Sequence, residues 1–371
     1  MNKKHILIVY WGCSGGGSKF TAEIIKAIKN SGETKLYIAI SDHNENLTDI
    51  QSIGLGIFSI NLHSTPFYRF PIRLLELRKQ LFDFIFLKRI QIVYCTMSHI
   101  FDLFFLDIFL RSGVKYVFTM HDALPHPGDN QLIRRATYQF EVRASDRIIV
   151  LSEHVKNQLL LSYGYDLSRI TVTKHGIFNY GKKQTIRKYP VGRPLRLLFF
   201  GRIEKYKGLD LLIDAFNLLR KEHKSIELLI AGSGKASYLP TNINAFKGVQ
   251  FDNRWIPDGE VERLLSKSDL VLAPYTEASQ SGVIATAFGA GLPVIITPVG
   301  GLIEQVSHKN TGIISKDVSS PSFASAIELL ITDPELYEHC AKSIVINADN
   351  KFSWAETAKD LEKTFSEVYN A

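Results

Sequence analysis

Three glycine-bearing loops hold the residues best suited to chemistry. Gly12-Cys13-Ser14-Gly15-Gly16-Gly17-Ser18 follows a short apolar run and leads into the helical stretch Phe20 to Lys29. At such a helix start, backbone N–H groups can hold an anion or let a ligand approach closely, which makes Gly15, Gly16 and Gly17 candidate ligand-binding positions. The loop has no G-K-[ST] and does not fit G-x-G-x-x-G, and a plain tight turn accounts for its glycines equally well. A second loop, Phe199-Phe200-Gly201-Arg202-Ile203-Glu204-Lys205-Tyr206-Lys207-Gly208, places Arg202 and Lys207 around the start of a helix with Leu209, Leu212, Phe216 and Leu219 on one face. Two cations beside open N–H groups form a seat for a diphosphate; the plain alternative is a solvated charged loop. The third loop, Glu277-Ala278-Ser279-Gln280-Ser281-Gly282-Val283-Ile284, enters an Ala/Gly-rich helix whose small residues would let a phosphate come close.

In Val117-Phe118-Thr119-Met120-His121-Asp122, His121 stands just past a predicted strand end, with His126 following in Pro125-His126-Pro127-Gly128. A lone histidine is often a structural hydrogen-bonder, but the strand-end position favours a functional one facing a cleft. As metal ligands His121 and His126 lack a recognisable third partner, so no metal is expected. No D-x-D motif occurs anywhere in the chain.

These loops need strands to hold them. Short β-branched or aromatic runs alternate with helical patterns: Ile6–Tyr10, Tyr37–Ile40, Gly56–Ile60, Ile92–Cys95, Tyr116–Thr119, Arg147–Leu151 and Thr171–Lys174. The pattern restarts with Leu195–Phe200, Glu227–Ala231, Val249–Phe251, Leu270–Pro274 and Val294–Thr297. Alternation of this kind predicts an α/β fold of two doubly wound parallel sheets, with ligands outside the carboxyl ends of the strands. The expected division is 1–180, a turn-rich basic linker at 181–194, a second domain at 195–350 and a closing helix at 351–371. In that helix Ser353 and Glu356 make a capping box and Trp354, Ala358, Leu361, Phe365 and Val368 one apolar stripe, which packs on its own domain or crosses back to the first.

With 371 residues, 45% hydrophobic and 22% charged, the chain is neither disordered nor disulfide-stapled. Three scattered cysteines, Cys13, Cys95 and Cys340, suggest a reducing compartment, and no apolar run is long enough to span a bilayer. The net charge of +7 is concentrated in residues 1–180, with 21 Lys+Arg against 15 Asp+Glu. No nucleic-acid motif accompanies it, so lipid or phosphate is the expected partner. Between Phe67 and Arg89, aromatic residues alternate with Arg69, Arg73, Arg78, Lys79, Lys88 and Arg89; such a helix can lie on an anionic membrane or turn its apolar side to the core.

Taken in order, Gly201 to Gly208, Ala231-Gly232-Ser233-Gly234, Glu277 to Ile284 and Gly291 to Gly301 resemble the donor domain of the retaining glycosyltransferases of family four (group 1). The likeness extends over nearly the whole chain, more loosely in the first half. It implies a GT-B fold, two Rossmann-like domains facing across a cleft. It also implies a metal-independent, cofactor-free enzyme of the hexosyltransferase type, cytoplasmic or peripheral on the inner membrane face. Such an enzyme moves a sugar from a nucleoside diphosphate to a glycan or lipid-linked acceptor in surface polysaccharide or glycolipid biosynthesis. Carried over, Arg202 and Lys207 bind the diphosphate and Glu277 the sugar hydroxyls. Gly201 belongs to the donor loop, Ser281, Gly282 and Val283 offer backbone contacts, and His121 stands beside the donor sugar. The family's second glutamate, which contacts ribose, is Ala285 here. Its absence keeps open a non-catalytic sugar-nucleotide-binding partner, and the shared architecture keeps open a sugar-nucleotide epimerase.

Overall fold

The computed structural model describes residues 3–62, 64–125, 131–180, 185–241, 243–348 and 352–371. The chain forms two compact units, Met1–His175 with Trp354–Ala371, and Gly176–Ser353.

In the first unit, β1 (Lys4–Tyr10), α1 (Gly16–Ser31), β2 (Thr34–Ser41), α2 (Leu47–Ser52) and β3 (Gly56–Ile60) build one half of the sheet. The other half comprises α3 (Phe70–Leu87), β4 (Ile92–Cys95), α4 (Asp102–Arg111), β5 (Lys115–Met120), α5 (Gln131–Ala144), β6 (Arg147–Val150), α6 (Glu153–Tyr163) and β7 (Ile170–Val172). The seven strands are parallel in the order β3-β2-β1-β4-β5-β6-β7. Because helices cover both faces of a parallel sheet, its strands read as unbroken apolar runs, and Ile6, Leu7, Ile8 and Val9 are all fully buried. The strand order reverses between β1 and β4, where open α/β sheets place their ligands.

The second unit repeats the plan with β8 (Leu195–Phe200), α7 (Leu209–Glu222), β9 (Ile226–Gly232), β10 (Val249–Asn253), α8 (Asp258–Ser266), β11 (Leu270–Ala273) and α9 (Gly282–Gly289). It continues through β12 (Val294–Ile296), α10 (Leu302–Gln305), β13 (Gly312–Ile314), α11 (Ser320–Thr332) and α12 (Pro334–Ala348). Its six parallel strands run β10-β9-β8-β11-β12-β13, reversing between β8 and β11. The unit begins at Gly176, ahead of the stretch expected to link the domains, because Ile177 and Phe178 are already buried and the Phe178 N–H donates to the Ala285 carbonyl at 3.1 Å. Arg187, within that stretch, is also tied to this unit, its Nε donating to the Ala290 carbonyl at 3.2 Å.

Helix α13 (Trp354–Asn370) belongs to the first unit, so the crossing alternative is the one found. It lies against α1 with Leu361, Phe365 and Val368 buried. Glu362 accepts from the Ser31 and Thr34 hydroxyls at 2.9 and 3.1 Å, and the Thr173 hydroxyl donates to Asp360 at 2.8 Å. Burying each such apolar side chain contributes about 1.5–3 kcal/mol, more than the polar contacts at its edge.

Candidate functional site

Backbone proximity gathers the loops of the second unit. A Cβ on Gly232 would lie 1.7 Å from the Gly201 carbonyl oxygen, and one on Gly208 would lie 1.9 Å from that of Pro274. Both glycines have positive φ, 151° and 67°. Only glycine lets the β8, β9 and β11 loops close on one another at the carboxyl edge of the sheet.

Within that edge Arg202 is exposed and donates from Nη2 to the Tyr206 hydroxyl at 2.6 Å. Lys207 holds its ammonium 3.7 Å from the centre of the Tyr275 ring and 5.0 Å from that of Tyr206. Tyr275 is buried, its hydroxyl 3.3 Å from the Ser281 hydroxyl. Burial pushes its phenol up to about 12, against the opposing effects of the Ser281 bond and the Arg202 charge.

Ser281 precedes α9, and the Gln305 amide bridges the two backbone groups of this residue: Ser281 N–H donates to Oε1 at 2.7 Å, and Nε2 donates to the Ser281 carbonyl at 3.3 Å. The Ser281 N–H, expected to face a phosphate, is therefore spent within the protein. The amides of Gly282 and Val283 lie in the first helical turn, where no intrahelical acceptor exists. Gly282 and Val283 are half-buried and Glu277 is exposed on the same loop. Ala285 is buried, its backbone joined to Phe178, so a side chain there meets protein.

In the first unit the Gly-rich turn is differently occupied. Gly15, at φ 81°, donates its N–H to the Glu45 carboxylate at 2.7 Å, so an anion already sits on that amide. A Cβ on Gly17 would come within 2.6 Å of both Met97 Sδ and the Tyr10 hydroxyl oxygen, whereas one on Gly16 would meet nothing within 4 Å. Packing accounts for Gly17 without a ligand.

His121 follows β5 and is buried, only 6% exposed, with its ring edge-on to Phe20 at 4.7 Å. Its Nε2 lies 2.9 Å from the Thr96 carbonyl, which can only accept, so the proton sits on Nε2 and Nδ1 carries a lone pair. Nδ1 has no hydrogen-bond partner among the described residues. Burial lowers the imidazole pKa, opposed by the Thr96 bond and Asp122, so the ring is neutral. His126 lies outside the described residues.

Residues 14–177 match the family described as Glycosyltransferase Family 4, and residues 194–333 the one described as glycosyl transferases group 1. The chain belongs to the family 4, group 1 glycosyltransferases. A glycogen synthase of Mycobacterium tuberculosis is 27% identical over 58% of this chain and 53% of its own length. A D-inositol 3-phosphate glycosyltransferase of Paenarthrobacter aurescens is 27% identical over 69% of this chain and 68% of its own. This family 4 chain thus spans about half the length of the first relative. Among solved structures, Anabaena Alr3699/HepE in complex with UDP and glucose aligns with a TM-score of 0.77 at 17% identity, over 98% of this chain and 100% of that one. The likeness is one of fold, two Rossmann-like units of the GT-B type.

Several residues of this family 4 chain carry no signal in spacing alone. Tyr206, Tyr275 and Gln305 are ordinary residues until the fold brings them to the cations and to Ser281. Beneath the β4–α4 connection, Cys95, Asp102 and Glu141 are buried with their ligand-type atoms within 4.8 Å of one another. The His99 N–H donates to Asp102 at 2.5 Å and the Ser98 hydroxyl to Glu141 at 2.6 Å. Burial pushes Asp102 up to about 7 and Glu141 well above the carboxylate range, so both hold their protons to far higher pH than exposed carboxyls do. A second set, Glu222, His223 and Glu328, lies at the surface of the other unit, and neither set includes His121.

Proposed function

We propose that this protein transfers a sugar from a nucleoside diphosphate sugar to a glycan or lipid-linked acceptor, with retention at the anomeric carbon and without a metal, in making a surface polysaccharide or glycolipid. The observation that carries the reading is the seating of Lys207 on Tyr275, beside Arg202 and the first turn of α9. When the bond from the anomeric carbon to the diphosphate oxygen breaks, negative charge grows on the departing phosphate while the sugar becomes oxocarbenium-like. Fixed cations and helix amides aimed at that charge lower the barrier without reorganising. The acceptor oxygen forms the new bond on the same face, and its proton passes to the departing phosphate. Glu277 would accept from sugar hydroxyls, and His121 would offer Nδ1 as an acceptor to a substrate hydroxyl.

The acceptor side of the reading rests on the surface of the first unit. Phe67, Tyr68, Ile72 and Leu75 are 95, 73, 64 and 67% exposed, and Leu132 and Phe140 on α5 are also exposed. Arg69 and Lys79 are exposed on the same stretch, and Lys88 and Arg89 at the far end of α3, a mixture suited to an anionic lipid surface. No helix among the described residues is long and apolar enough to cross a membrane.

The test is donor turnover over UDP-, GDP- and ADP-sugars with lipid-linked and glycan acceptors, reading the product anomer by NMR. A product of the donor's own anomeric configuration supports the reading. Inversion, epimerisation without acceptor, or binding without turnover would each replace it.

A further inference from the structure

We infer that Tyr275 and Gln305 are positioning residues of the diphosphate seat, which hold its cationic arm and its amide arm at one fixed spacing; this rests on the donor reading above. The two arms come from distant segments. Lys207 belongs to the β8–α7 loop and Ser281 to the turn before α9, and Tyr275 is the residue that touches both. Its ring face supports the ammonium at 3.7 Å and its hydroxyl reaches the Ser281 hydroxyl at 3.3 Å.

Tyr275 is itself immobilised. It is 1% exposed, its carbonyl accepts from the Thr297 hydroxyl, and the Thr276 N–H that follows donates to the Tyr206 carbonyl at 2.8 Å. A lysine ammonium on a four-carbon stem otherwise samples many rotamers. Resting it on an aromatic face in advance removes part of the ordering cost when a diphosphate binds.

Gln305 does the same for the other arm. A Ser-Gly junction is the most rotatable place in the loop, since Gly282 has no side chain to restrict it. The Gln305 amide thus clamps the two peptide planes that flank Ser281, and its bond to the Ser281 carbonyl, which also accepts from the Ala285 N–H at 3.4 Å, orients the Ser281–Gly282 plane that carries the Gly282 N–H. Neither residue needs to touch the substrate.

The experiment is calorimetry of UDP, GDP and ADP, each titrated into the full chain, with thermal unfolding recorded for every variant. Changing Tyr275→Phe keeps the ring and removes the hydroxyl, whereas Tyr275→Leu removes both. The difference between these two is expected to be about tenfold in nucleotide affinity when Lys207 is present and under about twofold in a Lys207→Ala background, since coupled residues are not additive. Equal differences in both backgrounds overturn the role of the ring. Gln305→Leu is expected to weaken binding roughly five- to tenfold at nearly unchanged melting temperature, with Gln305→Glu, which keeps the acceptor for the Ser281 N–H, weakening it less. Wild-type affinity in Gln305→Leu overturns the role of Gln305, and this arm stands even where Tyr275→Leu does not fold. If the unaltered protein binds none of the three nucleotides, the donor reading fails and takes this inference with it.

Discussion

His121 donates its Nε2 proton to the Thr96 carbonyl at 2.9 Å, which leaves Nδ1 as a buried acceptor without a partner among the described residues. The residue was expected at a cleft and outside the core, and the structure buries it behind Phe20. Its replacement therefore affects stability as well as chemistry. His121→Ala is expected to lower turnover by at least about tenfold at temperatures where both proteins remain folded, because the proposed reading makes Nδ1 an acceptor for a substrate hydroxyl. Its lowered pKa favours the native state above the unfolded value near 6.5, and that contribution is lost as pH falls. Urea unfolding of His121→Ala should show a shallower loss below about pH 6.5; an unchanged acid limb together with unchanged turnover would leave the ring without a role.

Arg202→Ala and Lys207→Ala should each reduce turnover by about two orders of magnitude, since in the proposed mechanism each removes a charge that stabilises the leaving diphosphate. Chelator should have little effect. Steady-state rates with and without chelator decide this, and near wild-type rates in both variants would move the site elsewhere.

Liposome sedimentation at low salt should capture the protein on anionic vesicles and release it as salt rises, because each basic residue near such a surface is worth about 1 kcal/mol and is screened by ions. Neutralising Arg69 and Lys79 should weaken binding. Arg78, first grouped with them, is held by a two-point pair with Asp107 at 2.7 and 2.6 Å and joins α3 to α4 instead. Its replacement should lower the melting temperature more than it lowers lipid binding. Absence of vesicle binding at low salt would remove the membrane surface.

At position 285 the alanine is buried, and its carbonyl accepts from the Phe178 N–H at 3.1 Å. Ala285→Glu is expected to weaken donor binding, since overpacking costs about 1–3 kcal/mol, and not to restore a ribose contact. Calorimetry with the donor reads it, and tighter binding would show that the pocket lacks its ribose partner.

Asp102, raised to about 7 by burial, keeps a proton in the native state that it releases on unfolding. Cys95 on β4, Tyr116 on β5 and Glu141 on α5 surround it, with Arg134 as the charge acting on Glu141. The native state thus binds more protons than the unfolded state between about pH 4 and 7, and stability from this group falls as pH rises through that window. Asp102→Asn should flatten the decline in denaturant titrations across those pH values. A parallel decline in the variant would assign the dependence to other groups.

The strands were legible because parallel sheets demand continuous apolar runs, and Ile6–Tyr10 or Leu195–Phe200 could hardly be anything else. Strand β13 was not read, as three residues ending on two isoleucines give no period to detect. The family likeness was legible through the order of the glycine-bearing loops along the chain. What they lacked was their support: the contacts of Tyr275 and Gln305 depend on which face of the sheet edge each side chain meets. The Gly-rich turn misled, since Glu45, thirty residues away in sequence, already occupies the Gly15 amide. Asp102 carries no signal of its own in the sequence, because its place in a buried acid cluster needs Glu141 of α5 beside it.

Because α13 completes the first unit, that unit is interrupted by the whole of the second. On the ribosome, residues 176–353 emerge as one continuous piece and can fold as soon as they clear the exit tunnel. The half that begins first must wait for residues 354–371. At synthesis rates of about 5–20 residues per second, the apolar face of α1 stays uncovered for roughly 17 to 68 seconds. Over that interval the nascent chain offers chaperones a client surface around Ile24 and Ile28, and truncation before Trp354 would make the exposure permanent.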